Sequence, residues 1–379
     1  MAQHKKQWAG LALALQTCWA AAAPIDPFSV ASLGTLNLLS GSYQLVTDGA
    51  GGAPVLMDAA NTVLFTGTTR AQASAFNPSV GVLDFDAISI AAGVTVRVTG
   101  NQPLVLLSRS SVSLAGILDA SGLNGADGVF RGPGGSGAAG NAGSAGGGDG
   151  GNGATGGPGL DGFGPGAGPT TGWWGLCQCT IGVGGGFGGK GLHPVEPGYG
   201  PTYGDLSQNL EAGSGGSGSG SAWGGGGGGG SGGGAIELGA ISFIDVAITG
   251  KLLANGGYGG LSGDVFGYYG GGGSGGGLLL HAASITLDQF GPQQAAVHAM
   301  GGGYNGGGGR IAFFTADGTV NGLTDGYSLV EANVGTGTYA ERGVITIGVL
   351  SAVPELPGSA LLLAGLVLLG GRFSRRAEA

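Results

Sequence analysis

Charged side chains are scarce. Asp, Glu, Lys and Arg together make up 9 % of the chain, 13 basic against 22 acidic, for a formal net charge of −9. An acidic chain with so few cations does not neutralise the phosphates of a nucleic acid, and that class of partner is excluded. Catalytic signatures are missing as well: there is no His triad, no pair of carboxylates at a recognisable spacing and no nucleophile elbow. Long apolar runs are absent from the body of the chain, and the one near its end, Ala360 to Gly371, is shorter than the ~20 residues that span a bilayer comfortably.

What fills the space is glycine, at 94 of 379 positions, against a usual ~7 %. Hydrophobic residues still make up 42 % and fall in short runs of the β type, so the chain is not disordered by charge and is not an ordinary helical enzyme. A length prior of ~150 residues per domain allows two domains or one long elongated one.

Short segments repeat. An apolar residue followed two places later by alanine recurs at Leu118/Ala120, Leu252/Ala254, Val297/Ala299 and Val330/Ala332. Each pair is preceded by an apolar strand beginning near Leu104, Ile236, Leu278 and Ile311, often with a middle strand such as Val112 to Leu114, Val246 to Ile248 or Ile285 to Leu287. Alternation of this kind buries one face of a strand, and three short strands per unit is a solenoid signature. The connections between units vary greatly in length but fall at one corner, as stacked coils require. The expected fold is therefore all-β, a right-handed parallel β-helix with coils over residues 24–121 and 235–350. A glycine-rich insertion over 122–234 separates them. Leu83/Phe85, Ile88/Ile90 and Val94/Val96 alternate likewise and belong to the first coils.

Within the insertion, 49 of 113 residues are glycine. They fall at every third place at Gly134, Gly137, Gly140, Gly143 and Gly146, and again from Gly150 through Gly153, Gly156 and Gly159 to Gly162. Period three suits extended rods with three residues per turn, packed beside the solenoid; a flexible linker is the alternative. The segment carries Trp173, Trp174, Trp223, Tyr199 and Tyr203, candidates either for stacking on sugar rings or for pinning the loop down.

The ends read as addresses. Residues 1–23 have a basic start at Lys5 and Lys6, an apolar stretch from Ala9 to Leu15 and small residues before Pro24, the layout of a secretory signal peptide cleaved near Ala22 or Ala23. Gln16 and Thr17 before Cys18 argue against a lipoprotein signal. Residues 353–379 place Val353, Pro354, Glu355 and Pro357 before an apolar helix over 358–371, then Arg372, Arg375 and Arg376, which would hold that end in the cytoplasm.

This tail resembles the PEP-CTERM sorting signal of bacterial envelope proteins, with Leu356 where the motif has its second proline. The resemblance implies an exosortase-like processing enzyme as partner, transient anchoring in the inner membrane through the C-terminal helix, and delivery to the cell surface or medium of bacteria that make exopolysaccharide. The stretch from Val82 to Gly348 is similar to uncharacterised glycine-rich bacterial surface proteins, many with such tails.

Remaining motifs are weaker. Gly184, Gly189 and Lys190 nearly match a phosphate loop, but Gly191 stands where the hydroxyl residue belongs. Asp264 lies in a run like a calcium-binding nonapeptide that does not repeat. Cys177 and Cys179 suit a local disulfide or free thiols, and with only His193 near in sequence they do not make a zinc site. No metal or cofactor is expected. The resulting expectation is a non-enzymatic structural protein of the envelope or extracellular matrix, associated with exopolysaccharide. The alternative is a β-helical polysaccharide-cleaving enzyme using Asp119, Lys251, His298 and Glu331 on the outward strand face.

Overall fold

A computed structural model of the chain describes residues 24–129, 136–171, 179–192, 199–264, 268–290, 293–294, 296–323, 330–334 and 340–350. The expected leader, the sorting motif (Val353, Pro354, Glu355, Pro357), the helix over 358–371, the arginine cluster (Arg372, Arg375, Arg376), Trp173, Trp174 and Cys177 lie outside these residues. Among the described residues no helix is long and apolar enough to cross a membrane.

The described chain is nearly all strand and extended segment, with one three-residue helical turn at Ala50–Gly52. Three main sheets dominate. The first contains Thr35–Leu38, Ala87–Ile90, Ser111–Leu114, Phe243–Val246 and Ser284–Leu287, all parallel. The second runs from Ser42–Val46 through Thr95–Thr99, Ile117–Asp119, Lys251–Leu253 and Ala296–His298 to Val330–Glu331, again parallel. The third stacks Ser79–Phe85, Leu104–Ser108, Ala235–Ala240, Gly277–His281, Arg310–Thr315 and Val344–Val349. Between Ser79 and His298 the chain visits the third, first and second sheets in that order four times.

Register follows the apolar pattern. Leu104, Ile236, Leu278 and Ile311 form one inward row, and Leu118, Leu252 and Val297 another, with Val330 next in register after Val297. Inward residues of all three sheets meet in one core that includes Phe85, Leu106, Ile244 and Phe313, each 2 % exposed or less. One boundary differs from expectation: the middle strand of the unit that opens with Ala235–Ala240 is Phe243–Val246, not Val246 to Ile248. Ile244, Val246 and Ile248 share one parity, so a period of two alone does not say which pair enters the stack.

At its N-terminal end the stack is closed by antiparallel strands. Val55–Met57 and Val63–Thr66 extend the second sheet, and Thr68–Ala71 pairs with Ser79–Phe85. Phe65 there meets Phe85 edge-on at 5.1 Å.

The glycine-rich segments form a packed layer at the corner between the second sheet and the third. The central run Gly224–Gly234 is hydrogen-bonded on several sides, and the direction of each N–H repeats every third residue. Gly225, Gly228, Ser231 and Gly234 donate to Val129, Ala126, Leu123 and Ala120; Gly226, Gly229 and Gly232 donate to Ala154, Gly151 and Gly148; Gly230 and Gly233 donate to Gly271 and Ser274. That is the periodicity of an extended helix with three residues per turn and no internal hydrogen bonds, its donors satisfied by neighbouring rods. Glycine is required sterically: a Cβ on Gly228, Gly229 or Gly230 would lie 2.0 to 2.1 Å from a neighbour's carbonyl oxygen.

Candidate functional site

Three outward faces flank the core, and they differ in what covers them. The outward face of the third sheet is covered. Val82, Val105, Leu279 and Ala312 pack there under Ile25, Val30, Phe187, Tyr203, Leu206 and Leu210. Beneath this cover Glu237 Oε1 lies 2.9 Å from His281 Nε2 and accepts the Ile25 amide, and Asp84 meets Arg109 at 3.0 Å through Oδ2, while its Oδ1 has no partner among the described residues. Burial raises the Asp84 carboxyl above its usual range despite the arginine.

The second sheet presents the row Arg97, Asp119, Leu253, His298 and Glu331 outward. Lys251 lies two residues along on the neighbouring row, opposite Ile117 and Ala296. The four residues of the enzyme alternative thus share a face but do not converge. Asp119 is held by Arg97 at 2.9 Å and by the Ser121 amide, and Leu253 separates it from His298. His298 approaches Glu331 to 3.9 Å, and burial holds its imidazole below the ordinary value.

Among the described residues nothing covers the outside of the first sheet. Its central outward row is Asn37, Ser89, Ser113, Asp245 and Thr286, and Asn321 joins it through an isolated bridge to Thr286. All six are exposed or half-buried. Parallel strands place them ~4.8 Å apart. Hydroxyls and amides outnumber charge, and Phe243 adds an apolar ring, 44 % exposed, to the next row. The Asp245 carboxyl is raised by burial and by the neighbouring Asp288.

On the glycine layer, outward amides that no rod reaches are bonded by side chains of the same period. Ser121 Oγ, Asn124 Oδ1 and Asp127 Oδ1 accept from the amides of Asn255, Tyr258 and Leu261. Trp223 is 51 % exposed and Tyr258 47 %, whereas Tyr203 is fixed, its hydroxyl bonded to Ala212 and Ser214 and its ring 4.8 Å from Phe187. Sequence reasoning missed Tyr258; its glycine-flanked place in the triplet Asn255, Tyr258, Leu261 was the available signal.

The weaker motifs are absorbed by packing. The amides of Gly185, Gly186, Gly188 and Gly189 are bonded to other rods, and Lys190 pairs with Glu341 at 3.2 Å, so the phosphate-loop match has no free cradle. Asp264 accepts from Ser221 and Ser262. Cys179 is buried and disulfide-bonded. Among the described residues no group of three or more His, Cys, Asp or Glu side chains gathers as a metal site. The chain matches no protein-family model, no curated protein and no solved structure.

Proposed function

We propose that the chain is an exported structural protein of the cell envelope or extracellular matrix, a parallel β-helix that associates with exopolysaccharide through its outward faces. The observation that carries this reading is the bare face of the first sheet. Asn37, Ser89, Ser113, Asp245, Thr286 and Asn321 form a rigid ladder of hydrogen-bonding groups on consecutive strands. Its order is established before any ligand arrives, so little conformational entropy is lost on contact. Strand-by-strand repetition in one direction, with the three sheets visited in a constant order, supports the β-helix. The leader and PEP-CTERM-like tail supply the route: export, transient anchoring in the inner membrane, and processing by an exosortase-like enzyme at Val353 to Pro357. Binding rather than cleavage is favoured by Asp119, whose two carboxylate oxygens are each already engaged, by Arg97 and by the Ser121 amide.

The test uses the mature protein from its native host. Retention on exopolysaccharide from that host, with no reducing ends released and with weaker retention in Ser113→Glu, is the expected result. Passage through the column without delay, together with an unchanged matrix in cells lacking the protein, overturns the reading. Release of reducing ends assigns the enzyme alternative. Mass spectrometry of the same sample reads the address: a C-terminus within 353–357 supports sorting, and an intact Ala379 in the inner membrane removes it.

A further inference from the structure

The cover over the third sheet stops one strand short of its edge. Gly204, Asp205, Leu206 and Ser207 lie over the strand Arg310–Thr315, while the last strand, Val344–Val349, is largely exposed and covered by none of the described residues. Between them runs a groove of about 420 Å³, with Ala312 and Phe314 in its floor and Val344 and Thr346 on its far wall. Arg310 and Phe314 stand four residues apart on the same face of one strand, a span of roughly 13 Å.

Arg310 is the informative group. Its Nε–H donates to the Tyr203 carbonyl at 2.8 Å, and its guanidinium carbon lies 5.5 Å from the Phe187 ring centre, so the plane of the fork is set. Among the described residues no hydrogen bond or ion pair uses either Nη, although Arg97, Arg109 and Lys190 are all paired. Half-buried N–H donors without partners are costly unless water or a ligand meets them. Across the groove Asp205 is an acceptor: the Ser207 hydroxyl and amide hold its carboxyl below the usual range, so it stays ionised. At the other end Phe314 lies against Gly348, where a Cβ would be 2.8 Å from its ring; the missing side chain lets the ring sit low over the edge strand.

Fixed donors, a carboxylate acceptor and an apolar ring within one groove match the hydroxyl pairs and the C–H face of a pyranose. An anionic sugar fits less well, because Asp205 and Glu211 lie near enough to Arg310 to act on its charge and the whole chain is acidic. We propose that this groove is a subsite for one or two residues of a neutral polysaccharide, with Arg310 donating to adjacent ring hydroxyls, Asp205 accepting from one and Phe314 beneath a ring. The assignment rests on the polysaccharide reading above and adds to the first-sheet ladder a second contact place and a charge class.

Titration calorimetry on the whole mature protein tests it, with six-residue β-1,4-glucan, β-1,3-glucan and α-1,6-glucan as neutral probes and an alginate hexamer as the acidic one. The expected result is binding of at least one neutral probe, weakened tenfold or more by Arg310→Lys, which keeps the charge and loses the fork, and by Phe314→Ala. Thr346→Trp, on the exposed edge strand and away from the Tyr203 contact, fills the groove and should abolish binding in a folded protein. Ser113→Glu on the first sheet should leave it unchanged. Neutral binding that survives Thr346→Trp overturns this subsite and leaves the matrix reading standing. Preference for the alginate hexamer overturns the charge class, and no binding to any probe while the host's exopolysaccharide still retains the protein overturns the subsite alone.

Discussion

Gly229 and Gly157 are the same residue type under opposite constraints. A Cβ on Gly229 would lie 2.0 Å from the Gly216 carbonyl oxygen, in a layer whose neighbours are backbone and cannot rotate away, whereas one on Gly157 meets nothing within 4 Å. Gly229→Ala should therefore cost on the order of 3 kcal/mol, the upper part of the range for overpacking, and Gly157→Ala should gain about 0.4–1 kcal/mol by restricting the unfolded chain. Urea unfolding of the two variants checks both, and equal midpoints would remove the steric account of the glycines. His298 carries a different residue-scale consequence. Burial depresses its folded-state value below the ordinary imidazole value of about 6.5, more than Glu331 raises it. Its contribution to stability is then complete above that pH and is lost as pH falls through the depressed value. Thermal melts between pH 7.5 and 5 should show a decline that His298→Gln flattens; an unchanged slope in the variant would place the titration elsewhere.

Adjacent leucines decide whether the rows are what hold the strands in register. Leu252 is fully buried between Leu118 and Val297, while Leu253 points outward between Asp119 and His298. Leu252→Ala should destabilise by about 2–5 kcal/mol, and Leu253→Ala should fall within about 0.5 kcal/mol of the parent; similar losses at both would mean that the row is not a core position. These rows were legible in the sequence because an apolar residue two places before alanine recurs in four units, and Ala120, Ala254, Ala299 and Ala332 are indeed all buried. The rods were legible only where they are peripheral. An outer rod such as 137–143 needs glycine just where it faces a neighbour, at Gly137, Gly140 and Gly143, and so shows a period of three. Gly224–Gly230 is contacted on every side; all its positions are glycine, and the period disappears from the sequence while persisting in the hydrogen bonds. The groove at Arg310 was not legible at all, because Asp205 and Arg310 are brought together only by the fold of the covering segment.

Three of the rods run straight into strands of the third sheet, which ties the layer and the sheets into one mechanical body. Gly224–Gly234 continues into Ala235–Ala240, the glycines at 270–276 into Gly277–His281, and those at 306–309 into Arg310–Thr315. Slipping a rod by one residue would misplace the strand after it and turn its inward residues outward, so the two parts cannot open separately without breaking the core rows. A layer built this way has little side-chain burial of its own; what holds it is a network of backbone hydrogen bonds shielded from water, and that network persists only while the strands anchor the rod ends. Native-state hydrogen exchange should then show the amides of Gly225, Gly226 and Gly228 to Gly230 opening with the same free energy as those of Ile236 and Leu238, though only the latter lie in a strand. A tethered but independent glycine segment would exchange at least a hundredfold faster than the strands, and that outcome would separate the layer from the sheets.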